Sequence, residues 1–77
     1  MRVRLIGKDP QAPEKNSTTL FANDRTDRKT FLVQGWKVTD SSGLADVGNI
    51  PSRVDIVEVP VDILEMYLAH KEQGATS

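Results

Sequence analysis

Charged and apolar residues alternate at the start of the chain, and the alternation ends after residue 6. Residues 2–6 place Val3 and Leu5 on one side, between two arginines. This period of two predicts an edge strand with one solvated face. Residues 7–17 contain two prolines, several charges and no large apolar side chain, which predicts an exposed loop.

A second strand-like segment, residues 18–23, carries Leu20 and Phe21. Six polar residues, 24–29, separate it from the next apolar segment and predict a hairpin connection. Charges of opposite sign alternate within this connection. The alternation favours a solvated turn with local ion pairs over a binding loop.

The segment 30–40 holds the only Trp and one of the two Phe residues. Its β-branched and aromatic residues predict the central strand of a small sheet. Gly35 interrupts the alternation, as a glycine does at a bulge or where another backbone approaches closely. We expect a bulge, because it would turn four residues toward the core: Phe31, Val33, Trp36 and Val38.

The second half of the chain predicts a short helix, a strand and a longer helix. Asp40 can cap a helix that runs to Val47, and residues 54–59 are rich in β-branched residues. Pro60 suits the first turn of the last helix, and residues 74–77 are expected to be a frayed tail. The helix has one apolar side, which we expect to pack on the sheet. It consists of Val61, Leu64 and Leu68, with Ile63 and Tyr67 beside it.

Together these segments predict an α+β fold in a single domain, residues 1–77. The expected architecture is a small antiparallel sheet of three to four strands with one C-terminal helix packed on it. A curled half-barrel is the structural alternative. A chain of 77 residues buries only about 60% of its unfolded surface, so the core should be small.

Composition excludes several kinds of chemistry. Without Cys there is no disulfide, thiolate nucleophile or thiolate metal site, and His70 is the only imidazole. We expect no enzyme, cofactor or metal, and we assign His70 to the helix C-terminus, where a cation is favoured. The N-terminal apolar run is too short for a signal peptide, and no run approaches transmembrane length. These features favour a cytoplasmic protein.

Charge is divided between the two halves. Residues 1–37 carry a net charge of +4, and residues 38–77 carry −5. The division favours either internal balance or docking to a partner, including a second copy. We therefore expect a protein–protein interaction module. The alternative is a module that binds single-stranded nucleic acid on a basic sheet face bearing Phe21, Phe31 and Trp36.

The predicted interaction surface joins the connecting turn to the third strand. It consists of Arg25, Arg28, Gln34 and Trp36. The purely structural interpretation is that Trp36 belongs to the core and that Gln34 makes a local hydrogen bond. The sequence is compatible with Trp36 on the surface and with Trp36 in the core.

One stretch, Thr-Asp-Arg-Lys-Thr-Phe-Leu-Val-Gln-Gly-Trp-Lys-Val-Thr-Asp at 26–40, resembles a group of small actinobacterial proteins. Their core runs approximately Thr-Asp-Arg-x-Thr-Tyr-Val-Val-Gln-Gly-Trp-x-Val-Thr-Asp, followed later by Val-Glu-Val-Pro, as at 57–60 here. The resemblance covers residues 19–64. This chain departs from it in a longer hairpin at 22–24 and in Ser-Ser-Gly at 41–43. The group has no assigned activity, and its members are often encoded beside helix-turn-helix regulators. The resemblance therefore implies an accessory partner of a transcriptional regulator.

Overall fold

A computed structural model of the chain describes residues 1–11 and 17–74, with the backbone alone for 73 and 74. These residues form an α+β fold with a three-stranded antiparallel sheet, a second sheet of two strands, and a C-terminal helix. The predicted fold class is thereby confirmed, and the elements follow the predicted order except that the one strand predicted at 30–40 is divided into two. The elements are β1 (Val3–Lys8), β2 (Thr19–Asn23), β3 (Phe31–Gln34), β4 (Trp36–Lys37), α1 (Ser41–Val47), β5 (Val57–Glu58) and α2 (Val61–Gly74).

The larger sheet has the order β1-β2-β3, so β2 is its central strand. Leu20 and Ala22 of β2 are buried, because neighbours on both sides and α2 cover them. The prediction that residues 30–40 form the central strand is wrong. That segment pairs only with β2, which makes β3 an edge strand.

Gly35 divides the predicted strand into β3 and β4, which belong to different sheets. A Cβ atom at Gly35 would lie 2.8 Å from the Glu58 carbonyl oxygen and 2.8 Å from Val59 Cγ1. The close backbone approach is therefore the role of this glycine, and the bulge we expected is wrong. The half-barrel alternative is not formed either, since the chain leaves the first sheet here instead of curling with it.

Residues 36–58 form an arm that contains β4, α1 and β5. Asp40 is the N-cap of α1, and its carboxylate accepts the Gly43 N–H at 2.7 Å. No residue of α1 is buried. The strand predicted at 54–59 is reduced to Val57–Glu58, because the chain before it still turns. Arg53 has a φ of 73°, and the Val54 N–H donates to Pro51 O.

The loop predicted at 7–17 is shorter than expected. Gly7 and Lys8 continue β1, and the Asp9 N–H donates to Thr18 O at 2.9 Å. Asp9 and Ser17 are buried, so the ends of this connection are not exposed. Residues 12–16 lie outside the described residues. The same is true of 75–77 in the predicted frayed tail, whereas Gly74 is the last residue of α2.

Helix α2 lies across β1 and β2, in an orientation that differs from the predicted one. Ile63 is its buried residue, only 1% exposed, and Met66 is half-buried against Gly7 of β1. The residues that we expected on the sheet, Val61, Leu64 and Leu68, are 58–62% exposed. The helix therefore covers two of the three strands and presents its apolar side beyond them.

The fold leaves a large surface for its mass. Among the described residues only three apolar side chains are buried, Leu20, Ala22 and Ile63, whereas thirteen large ones are exposed. The accessible surface is 6375 Å², and a folded monomer of 8.5 kDa usually exposes about 4,700 Å². The chain therefore exposes roughly 1,700 Å² more than a compact monomer of its mass.

Candidate protein-interaction groove

An apolar groove of about 390 Å³ runs between α2 and the edge strand β3. It exists because α2 packs mainly on β1 and β2 and reaches β3 through ring contacts with Phe31, which leaves Val33 open. Its lining, called the apolar groove from here on, consists of Leu20, Phe31, Val33, Ile63, Leu64, Tyr67 and Leu68.

The sheet wall of the groove follows from strand alternation. Side chains of a strand point to opposite faces in turn, so Phe31 and Val33 share the face toward α2. Leu20 of β2 pairs with Val33 and continues that face inward. Val33 is 41% exposed, so this wall is open to solvent at its outer edge.

The helix wall follows from spacings of three and four residues. Ile63 and Tyr67 form one such pair, and Leu64 and Leu68 form another on the adjacent strip of helix surface. Tyr67 packs edge-on against Phe31 with ring centroids 5.2 Å apart, which ties the helix wall to the sheet wall. Leu64 and Leu68 are 59% and 58% exposed, so they form the rim of the groove rather than its floor.

The groove adjoins an unpaired strand edge. β3 pairs with β2 on one side only, so its other side presents backbone N–H and C=O groups to a further strand. A partner strand added there would extend the sheet directly under the groove. Apolar groove and open edge thus form one continuous surface.

The face of the sheet away from α2 is also apolar. Leu5, Phe21 and Leu32 lie in one cross-strand row, since Leu5 pairs with Phe21 and Phe21 with Leu32. Leu5 is 55% exposed and Leu32 is 38% exposed. No described element packs on this face.

The four residues predicted from sequence are all exposed, and they lie on the β2–β3 turn, at the end of β3 and on β4. Arg25 pairs with Asp27 within the turn, which confirms the local ion pair we expected, and Arg28 is exposed in the same turn. Gln34 ends β3 and donates from Nε2 to Ser17 O at 3.3 Å. Trp36 lies in β4 of the other sheet and is 42% exposed, so it is not a core residue.

The three aromatic residues proposed for base stacking are not on a common face. Phe21 pairs with Leu32 and Phe31 with Ala22, in adjacent registers, so their rings point to opposite sides of the sheet. Phe31 is engaged with Tyr67, and its ring also meets the His70 ring edge-on at 5.7 Å. The basic, aromatic sheet face assumed for nucleic acid is therefore wrong in its geometry.

The pKa shifts of Arg25, Asp27 and Asp40 arise from exposed, local contacts. The Arg25 guanidinium holds the pKa of Asp27 below its usual value, and the same bond raises the pKa of Arg25. The Gly43 N–H, followed by the Ser42 hydroxyl, lowers the pKa of Asp40. Each shift is explained by a turn or a helix cap, so none marks a reactive group.

The groove residues were visible in the sequence but were assigned to the core. The apolar stripe of α2 indicates a packing surface, and the described part of the chain covers its Ile63 side and leaves Val61, Leu64 and Leu68 exposed. Within residues 1–11 and 17–74, no group of three or more potential metal ligands occurs. None of the described helices is both long and apolar enough to cross a membrane.

Comparisons of the chain with protein-family models, with curated proteins and with solved structures give no match.

Proposed function

We propose that the chain is a small non-enzymatic protein–protein interaction module that works as a homodimer. The observation that carries this proposal is the apolar groove together with the open edge of β3. The partner that occupies both is a second copy of the chain, related by a two-fold axis.

The amount of exposed surface supports a permanent partner. A stable interface takes about 800 Å² from each protein, and the excess surface of this chain is roughly twice that. Only three apolar side chains are buried among the described residues, so the core of one chain is small and a partner would add to it. A second copy is a partner that is present wherever the chain is made.

The sequence of β3 suits symmetric pairing. In an antiparallel pair, residues directly opposite each other point to the same face. A two-fold axis at Leu32 sets Leu32 against its own copy and Phe31 against Val33 of the other strand. Every one of these contacts is apolar, whereas an axis at Val33 would set Leu32 against Gln34.

The same axis brings the two grooves together. The paired β3 strands would form a six-stranded sheet, and each α2 would cover the outer two strands of its half. Leu64 and Leu68 of the two helices would then meet above the central strands. The exposed groove becomes the core of the dimer.

Sedimentation velocity tests the proposal directly. The unmodified chain should sediment as a dimer, and Leu68→Asn should sediment as a monomer or dissociate at least about tenfold more readily, since it puts an amide into an apolar interface. Val54→Asn is the matched control. Val54 is 53% exposed, close to Leu68 at 58%, but lies in the arm outside the groove.

Equal behaviour of the two variants would overturn the homodimer. A monomeric unmodified chain with a stable fold would do the same and would send the search to other proteins. A DNA-binding regulator is the first to test, because the resemblance described above implies one.

The alternative function, binding of single-stranded nucleic acid, is favoured by one feature, the exposure of Trp36. It predicts that iodide quenching of Trp36 fluorescence falls when an oligonucleotide is added, and that binding weakens steeply with salt. The homodimer predicts a quenchable Trp36 whose emission does not respond to the oligonucleotide. The two functions are thereby separated in one titration.

A further inference from the structure

A second, smaller pocket lies where the β2–β3 turn meets β1 and the end of α2. It encloses about 80 Å³, the volume of two to three water molecules at about 30 Å³ each. Its lining residues that can bind an anion come from three elements: Arg4 of β1, Arg25 and Lys29 of the turn, and the His70 imidazole of α2. We call it the basic pocket.

The charge in the basic pocket is unbalanced. No carboxylate is among its lining residues in the part of the chain that the structure describes. In the described part of the chain, Arg25–Asp27 is the one ion pair. Arg4 and Lys29 therefore have no carboxylate partner among the described residues. Arg4 and Lys29 repel each other at one small cavity, and an anion in the cavity would relieve that repulsion.

The turn that carries two of these cations is fixed by Asn23. The Arg25 N–H donates to Asn23 Oδ1 at 2.9 Å, and Asn23 Nδ2 donates to the Thr30 carbonyl oxygen at 2.9 Å. One side chain thus closes the turn at both ends. The turn backbone that carries Arg25 and Lys29 is therefore ordered before any ligand arrives, which lowers the entropic cost of binding.

The α2 side of the pocket is fixed as well. His70 is half-buried, and its ring meets Phe31 edge-on at 5.7 Å. Its ring N–H group can donate to an oxyanion, as can the Thr30 hydroxyl at the pocket wall. Donors from the turn, the strand and the helix surround the cavity.

We infer that the basic pocket binds a phosphate group. A tetrahedral dianion presents oxygens in several directions, which matches donors that converge from three elements, and it carries more charge than a carboxylate. The pocket is small enough to take one such group but not a nucleotide. This inference does not rest on the homodimer, because every residue in it belongs to one chain.

The experiment titrates inorganic phosphate into the full chain at constant ionic strength and follows amide and His70 ring signals by NMR. Saturable shifts confined to the pocket residues are expected. Arg4→Gln and Lys29→Gln should each weaken phosphate binding about three- to tenfold. Arg28→Gln is the matched control, since it removes the same charge from the same turn but does not line the pocket.

Asp27→Asn gives a prediction of opposite sign. The Arg25 Nε and NH2 groups donate to the two carboxylate oxygens of Asp27. Loss of this ion pair makes the Arg25 guanidinium available to the anion, so phosphate binding should become a few-fold stronger. A residue with a merely structural role in the turn would not produce that gain. Circular dichroism checks that each of these exposed substitutions leaves the fold intact.

Further titrations with glycerol phosphate and acetate identify the source of the anion. Equal affinity for glycerol phosphate and phosphate supports the pocket as a site for the phosphoryl group of a larger ligand. Binding of phosphate alone supports a site for the free ion. The inference is overturned by non-saturable shifts, by tighter binding of acetate, or by an equal loss in Arg28→Gln.

Discussion

At the scale of single residues, Gly35 determines how the two sheets are joined. The carbonyl of Glu58 and the side chain of Val59 fill the space that a Cβ atom would need. The backbone of β5 thus passes close to the junction between β3 and β4. A residue with a side chain here must push the arm away from the first sheet.

We predict that Gly35→Ala destabilises the protein by about 1–3 kcal/mol, the usual cost of overpacking. Gly7→Ala is the comparison, because its new Cβ would meet Met66 Sδ at 2.8 Å. That sulfur ends a flexible side chain and can move, so the loss should be smaller. Urea denaturation measures both. A loss at Gly7 equal to that at Gly35 would contradict the close backbone approach.

Asp40 gives the arm a dependence on pH. Its pKa is lowered in the folded chain from 3.8, chiefly by the Gly43 N–H. The cap therefore stabilises α1 fully above the unfolded value and is lost as pH falls through the lower folded value. We predict that the helical Cα shifts of residues 41–47 decrease in NMR spectra as pH falls below 3.8.

Two variants make this prediction specific to the cap. Asp40→Asn keeps an oxygen acceptor and removes the titration, so the helical shifts of α1 should persist at low pH. Asp40→Ala should weaken α1 at every pH. A pH response that survives in Asp40→Asn would assign the effect to another carboxylate.

At the scale of elements, α2 separates residues that support the fold from residues that lie on the groove rim. Ile63 and Leu64 are neighbours in the chain, but Ile63 is 1% exposed and Leu64 is 59% exposed. The first contacts the sheet within one chain. The second contacts solvent unless a partner covers it.

We predict that Ile63→Ala lowers the free energy of unfolding by about 2–4 kcal/mol, through lost burial and the cavity left behind. Leu64→Ala should leave the unfolding of the monomer within about 0.5 kcal/mol but weaken self-association. Denaturation at low concentration, where the chain is monomeric, and sedimentation at high concentration separate the two effects. Equal losses of stability would contradict the orientation of α2.

Comparison of the elements with their predictions separates features that a local sequence pattern determines from features that it does not. The cap at Asp40 and the long helix after Pro60 were predictable, because caps, prolines and apolar periods act within one element. The position of a strand within its sheet was not predictable. Residues 30–40 carry the most aromatic mass, yet β2 is the central strand. The departure of the chain at Gly35 depends on Glu58, a contact that no local pattern reveals.

The candidate site was predictable only in part, for a similar reason. The apolar period of α2 indicates that its stripe will be buried but does not say by which chain. The groove arises because α2 leaves β3 uncovered, and that is set by packing between distant elements. Arg25 was singled out for its charge, whereas its place in the basic pocket depends on Arg4 and His70 from other elements.

At the scale of the whole molecule, the monomer is a layered structure with one layer incomplete. α2 covers β1 and β2, while β3 and the apolar groove remain open. The gap contributes to the excess surface and to the small core, as does the arm at 36–58, in which no residue of α1 is buried. A second copy joined at β3 would cover the open groove with its own β3 and α2.

A cross-link can test the proposed axis at the level of single atoms. The chain has no cysteine, so one introduced thiol forms disulfides only between copies. With the axis at Leu32, the two Leu32 Cβ atoms lie about 4.5–5.5 Å apart, close to the spacing of about 3.5–4.5 Å in a disulfide. We predict that Leu32→Cys forms a covalent dimer rapidly under mild oxidation.

Gln34→Cys provides the control on the same strand and the same face. The two copies of residue 34 would lie about 13 Å apart, at a rise of about 3.3 Å per residue, so they should cross-link slowly. Faster cross-linking at 34 than at 32 would move the axis toward the end of β3. Equal and slow cross-linking at both positions, in a chain that still sediments as a dimer, would place the contact elsewhere. The open face that carries Leu5, Phe21 and Leu32 would then be the surface to test next, because it is the other apolar surface of the sheet.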